Sequence, residues 1–158
     1  MTADGPADGT VPVDPVLAVV APDDARAEAA IAAYLAELAE RFPQGFDVDT
    51  AQPAPLDLCV LASRGGEVVG VGGLMLKGEG LGEVKRMWVA PTARGRGLGR
   101  RLLAALEEVA SERGCTVLRL DTNEVLPEAI RLYETSGYEA VAPFNDDPYP
   151  THFFRKSL

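Results

Sequence analysis

The sequence predicts an α/β domain of layered type around a mixed sheet, and three observations carry that prediction. Short apolar runs of strand length alternate with amphipathic stretches long enough to be helices. Three of the strand runs follow one another directly, joined by two glycine-rich turns, which is the signature of an antiparallel meander. Two of the helical stretches stop at a glycine, Gly114 and Gly137, where a left-handed residue ordinarily closes a helix.

Taken in order, residues 1–15 hold three Asp, three Pro and two Gly with almost nothing to bury, and are expected to be a disordered tail ahead of a single domain over 16–158. Val16 to Val20 is a short strand. Pro22, Asp23 and Asp24 start a helix, with acids at the positive end of its dipole. From Ala25 to Phe42 the apolar residues Ile31, Leu35, Leu38 and Phe42 are spaced as one helical face. A turn-rich connection from Pro43 to Pro55 follows. Leu56 to Ala62 and Val68 to Leu76 are strands joined at Arg64, Gly65, Gly66 and Glu67, a hairpin signal. Gly78 to Gly82 turns the chain into the strand Glu83 to Val89. The loop Ala90 to Gly97 then enters a helix running to about Arg113, with Leu98, Leu102, Leu106 and Val109 on one face. Cys115 to Asp121 is a strand, and Pro127 opens a helix to Ser136. Tyr138 to Ala142 and His152 to Lys156 are the last strands, bringing the expected sheet to about seven.

At 158 residues the chain has room for one real core, and its 47% apolar and 25% charged content is ordinary for a globular protein. No apolar run approaches the roughly 20 residues that span a bilayer, and the first residues lack the basic and apolar regions of a signal peptide, so a cytoplasmic protein with no membrane partner is expected. Cys59 and Cys115 lie in strand-like runs away from any CxxC or Cys/His cluster, which predicts buried free thiols and no metal site. A net charge of −9 argues against nucleic acid as a partner. The positive charge is nevertheless concentrated. Lys85, Arg86, Arg94, Arg96, Arg100 and Arg101 are six of fifteen Lys and Arg residues, and no acid occurs from Val84 to Leu106. Such an island suits one compact anion.

The island surrounds Arg94-Gly95-Arg96-Gly97-Leu98-Gly99, a glycine-rich loop opening a helix, which points backbone N–H groups at one spot as a phosphate requires. It is not a dinucleotide fingerprint, because Arg100 stands where the third glycine should fall and several strands precede it. Nor is a G-x-x-x-x-G-K-[ST] loop present. The loop resembles the [QR]-x-x-G-x-[GA] coenzyme A signature of the GNAT superfamily of acyl-CoA N-acyltransferases. The likeness extends over residues 67–140, through "EVKRMWV", "LGRRLL" and "VLRLDTN" to "EAIRLYETSGYEAV", which is similar to the family's A-x-x-L-Y-x-x-x-G-[FY] segment.

That resemblance implies the GNAT fold, a mostly antiparallel central sheet flanked by helices, over 16–158. It implies acetyl-CoA as cosubstrate and no metal. The N–H groups of Gly95, Arg96, Gly97, Leu98 and Gly99 would hold the pyrophosphate, with Arg94, Arg96 and Arg100 adding cations. Met87, Trp88 and Val89 would pair their backbone with the pantetheine arm, and one N–H there would stabilise the oxyanion formed at the thioester. Many members carry Asn where this chain has Leu126, so the pantetheine-amide contact falls to Asn123 or is absent. Tyr133 matches the family tyrosine that protonates the departing thiolate. Glu83 is the first candidate for general base and Asp121 the second, the alternatives being solvated or capping carboxylates and a water chain.

The implied activity is transfer of acetyl to a primary amine of a small molecule or amino acid by direct attack in a ternary complex. Acetylation of a polypeptide N-terminus or lysine is the alternative within enzymology, and a non-catalytic acyl-CoA-binding module the alternative outside it. The gap in the sheet, the first helix and the segment "PFNDDPYPTHFF" are expected to wall the acceptor site, with Asn145, Asp146 and Asp147 as candidate contacts for a cation. His152 is read as a strand surface residue. Lys85 and Arg86 alternate faces of their strand, and one reaching the site would favour a substrate carboxylate. Family members are often dimers; a homodimer stays open, with no interface indicated.

Overall fold

A computed structural model of the chain describes residues 14–47 and 55–158. Most of the expected tail, and the middle of the connection after the first helix, lie outside the described residues. The elements are β1 (Val16–Val20), α1 (Ala25–Arg41), β2 (Leu58–Arg64), β3 (Glu67–Gly78), β4 (Leu81–Val89), α2 (Leu98–Glu112), β5 (Val117–Thr122), α3 (Pro127–Glu134), β6 (Glu139–Ala140) and β7 (His152–Ser157). The strands form one seven-stranded sheet in the order β1-β2-β3-β4-β5-β7-β6. All neighbours are antiparallel except β4 and β5. The mixed sheet and the order of elements are as the sequence predicts.

The pleat sorts β2 between two cores. Leu58, Val60 and Ala62 face a cluster with Leu98, Leu102, Leu106, Leu118, Tyr133 and Phe154, so α2 and α3 share that side. Cys59 and Leu61 face the other way, against Ala27 and Ala30 of α1. Both cysteines are buried free thiols. Asp24 caps α1, its carboxylate accepting from the Arg26 N–H at 2.8 Å.

The face α1 buries differs from the expected one. Ala27, Ala30 and Leu38 are the buried positions, whereas Ile31 and Leu35 are only half-buried. Small alanines let the helix axis come close to the sheet, and this close approach outweighs the area that Ile31 and Leu35 would have buried. β6 is also shorter than the expected Tyr138–Ala142, although the Val141 N–H still donates to the Phe153 carbonyl beyond its end.

The sheet is split in the middle. β4 and β5 pair only from Leu81 to Glu83 and from Val117 to Arg119. Past that point β5 continues against β7 alone, and β4 against β3 alone. The register of β3 and β4 slips between Val71 and Gly73, so that Arg86 and Met87 both stand opposite Gly72. Arg86 has φ +60°, a left-handed value rare for arginine. This bulge bends β4 away from β5. The V-shaped opening that results leaves one backbone edge of each strand without a strand partner among the described residues.

Candidate active site

Two cavities meet in that opening. The larger, about 420 Å³, is a groove lined by Met87, Trp88 and Val89 on the free edge of β4, by the loop residues Arg94, Gly95 and Gly97, by Leu98, Gly99 and Arg100 of α2, and by Ala129, Leu132 and Tyr133 of α3. The smaller, about 90 Å³, is a recess between Val84–Met87 of β4 and Asp121–Asn123 of β5, closed by Phe42, Phe46, Asp147 and Tyr149. Tyr34, Leu38, Met87, Leu126, Ala129 and Tyr133 line both.

The groove is built to receive an anion at one end. Gly97 is the N-cap of α2, at φ +79° and with no side-chain cap, and no acid occupies the first turn. The first N–H groups of the helix therefore lack the carboxylate or hydroxyl that usually satisfies them, and the positive end of the dipole faces the groove mouth. Gly95 is also left-handed, at φ +81°. At Gly99 a Cβ would stand 3.4 Å from Leu132, an ordinary contact, so α2 lies near α3 there without requiring a glycine.

The arginines of this loop divide by partner. Arg94 donates to the Val89 carbonyl at 2.9 Å and to Glu37 of α1 at 2.6 Å. Arg100 donates to the Thr135 carbonyl and to the hydroxyls of Thr135 and Ser136, tying α2 to the end of α3. Arg96 is exposed, does not line the groove, and makes no ion pair or hydrogen bond with another described residue. Arg94 and Arg100 thus shape the groove, and Arg96 is the loop cation without an ion pair among the described residues.

Tyr133 is 5% exposed and packs against Tyr138 and Phe154 with ring centroids 5.9 and 6.0 Å away. Its hydroxyl has no hydrogen-bond partner among the described residues. Burial, and then the charges of its neighbours, push that hydroxyl well above the ordinary phenol range. Tyr34, which the sequence reading did not single out, stands beside it with its pKa pushed up to about 12, chiefly by burial. Glu37 was missed too. Its carboxylate accepts from Trp88 Nε1 at 3.1 Å as well as from Arg94, and these bonds outweigh burial to hold it below its usual range. Both residues lie on α1, off the face its aliphatic spacing marks, and only their position in the periodicity relative to Ala27 and Ala30 would have found them.

The two carboxylates proposed as bases are placed differently. Asp121 lines the recess, and its Oδ2 accepts from Lys85 Nζ at 3.3 Å and Asn145 Nδ2 at 2.7 Å. Glu83 is 4% exposed and lies one pleat deeper, bridging Lys85 at 3.2 Å and Arg119 at 2.9 Å, without lining either cavity. Asn123 lines the recess and not the groove; its amide is committed locally, donating to the Tyr149 carbonyl and accepting from the Val125 N–H. Asp146 is exposed, while Asp147 lines the recess. Lys85 and Arg86 do not alternate as a regular strand requires, because the bulge brings both to the recess.

Residues 24–138 match the profile of the Acetyltransferase (GNAT) family. The chain belongs to that family. It is 44% identical over 91 residues to an IAA acetyltransferase of Azospirillum brasilense and 37% identical over 84 residues to the aminoalkylphosphonate N-acetyltransferase of Salmonella typhimurium. Those matches take in 57% and 50% of this chain and only 58% and 54% of the relatives, so the chain spans little more than half of each. A Klebsiella pneumoniae structure described as a candidate acyl-CoA N-acyltransferase superposes with a TM-score of 0.73 at 36% identity, covering 91% of this chain and 97% of the other. For this GNAT chain the likeness therefore extends over nearly the whole of a solved domain.

Proposed function

We propose that the protein transfers an acetyl group from acetyl-CoA to the amine of a small molecule by direct attack. The observation that carries the proposal is that Tyr133, with a buried and unpartnered hydroxyl, stands at the junction of an anion-receiving groove and a small polar recess. Acetyl-CoA supplies the activated acyl group. The uncapped start of α2 and Arg96 bind its phosphates, the free edge of β4 over Met87–Val89 pairs with its extended arm, and the aliphatic wall of Leu132 and Ala129 excludes water from that arm. An N–H on that edge offers a bond to the thioester oxygen as charge develops there.

Tyr133 keeps its proton at neutral pH because burial disfavours the phenolate, and so serves as the donor to the departing sulfur. The acceptor amine enters through the recess. Asp121, open to that recess, takes the proton the amine must lose, directly or through a water, while Glu83 behind it fixes Lys85. The small recess favours a small acceptor. So does the Salmonella relative, named for a small amine.

The test is an amine and amino-acid panel assayed by coenzyme A thiol release, with the product identified by mass spectrometry. Acetylated small amine supports the proposal, and turnover only on polypeptides overturns the choice of acceptor. Asp121→Asn is expected to shift the pH–rate profile, whereas Glu83→Gln should act mainly on stability, at about 1–3 kcal/mol, because it removes the buried carboxylate that Arg119 and Lys85 share while Lys85 keeps Asp121.

A further inference from the structure

We propose that the acceptor carries an anionic group, a carboxylate or phosphonate, beside its amine, and that Arg86 is the residue that selects it. The inference rests on the acetyltransferase reading of the recess and names its substrate class. Two cations line the recess. Lys85 is neutralised by Glu83 and Asp121 at 3.2 and 3.3 Å. Arg86 is half-buried and makes no ion pair or hydrogen bond with any described residue.

Its placement is imposed by the backbone. In a regular strand Arg86 would point away from the face that Lys85 occupies, but the bulge opposite Gly72 and the left-handed φ of +60° bring it to the recess. A glycine would hold that conformation without strain; an arginine kept there is strain placed at a site. A partly desolvated guanidinium with no partner is costly until a ligand supplies one, and its planar fork matches a carboxylate or phosphonate. The opposite wall carries Asp121, so the recess presents a cation and an anion across a small space. An acceptor with an amine and an anionic group on one carbon satisfies both, whereas a plain monoamine leaves Arg86 unpaired. The third wall is aromatic, with Phe42, Phe46 and Tyr149 rings 4.5 to 5.5 Å apart, which suits an apolar remainder.

The experiment compares matched acceptors: phenylalanine and leucine, the α-aminophosphonates with the same side chains, and the decarboxylated amines phenethylamine and isopentylamine. Each is assayed by thiol release and corrected for its fraction of free amine. The expected result is that carboxylate or phosphonate acceptors exceed the matched monoamine in kcat/KM by about 10- to 100-fold, mainly through KM, the better arm identifying the anion. Arg86→Gln should collapse that ratio towards one, and Arg86→Lys should restore part of it, with acetyl-CoA affinity retained by calorimetry in both. Equal use of the monoamine by the wild-type protein overturns the inference and leaves the acetyltransferase standing, as does an Arg86→Gln variant that slows all acceptors in proportion. Absence of turnover on every amine, with acetyl-CoA still bound, overturns the transferase reading and this inference with it.

Discussion

Tyr133 is the residue on which the proposed chemistry most depends, and its hydroxyl is the group whose removal is easiest to interpret. Tyr133→Phe keeps the ring packing against Tyr138 and Phe154 and deletes only the hydroxyl proposed as proton donor. Turnover is expected to fall about 10²-fold or more while acetyl-CoA affinity is retained, a separation that stopped-flow and calorimetry will read. A second expectation concerns alkaline pH. Tyr34, Tyr133 and Tyr138 all have folded pKa values raised above the unfolded phenol value near 10, chiefly by burial, and Tyr34 reaches about 12. For a raised pKa the stabilisation is fully present below the unfolded value and is lost as pH climbs through the folded one. The melting temperature should therefore fall between about pH 10 and 12. Tyr34→Phe, which loses no hydrogen bond among the described residues, should flatten part of that fall and remove an ionisation step from the ultraviolet tyrosine titration.

At the scale of the element, the start of α2 and the bulge in β4 do the positioning. Gly97 needs a positive φ, and an alanine there is strained by about 1 kcal/mol. Gly97→Ala should weaken acetyl-CoA binding more than it lowers stability, because a shifted turn misdirects the N–H groups proposed to meet the phosphates. Calorimetric Kd values alongside thermal melts will separate the two effects. The bulge works through Gly72 on the facing strand, where a Cβ would come within 2.8 Å of the Met87 sulfur and 2.6 Å of Leu106. Sequence periodicity showed the helices and strands, since a face that must be buried repeats with the element. It did not show the bulge, which depends on how two strands slip past each other, nor the rotation of α1, which depends on how near its alanines approach the sheet.

For the whole molecule, one split sheet joins both helical layers and opens between β4 and β5. α1 packs on one side and α2 with α3 on the other, and both clusters share β2. Neither cluster has a sheet of its own, so unfolding is expected to be a single transition, with Trp88 emission and far-ultraviolet circular dichroism coinciding. Trp88 is the one tryptophan and lines the groove while its Nε1 donates to Glu37. Its emission should change on titration with acetyl-CoA, and two separate unfolding transitions would contradict the shared-core description.

The sequence alone determined the order of elements, the mixed sheet and the glycine-rich start of α2, because each is a local pattern: periodicity, a turn residue, a motif at fixed spacing. Tertiary structure decided which charges remain available. Arg94 is drawn to Glu37 and Arg100 to the end of α3, whereas Arg96 and Arg86 make no ion pair or hydrogen bond with another described residue. It also set Asp121 on the recess and Glu83 behind Lys85. Ion pairs between residues tens of positions apart depend on where β4 leaves β5 and how α1 lies on the sheet, and no pattern read along one stretch of chain contains that distance.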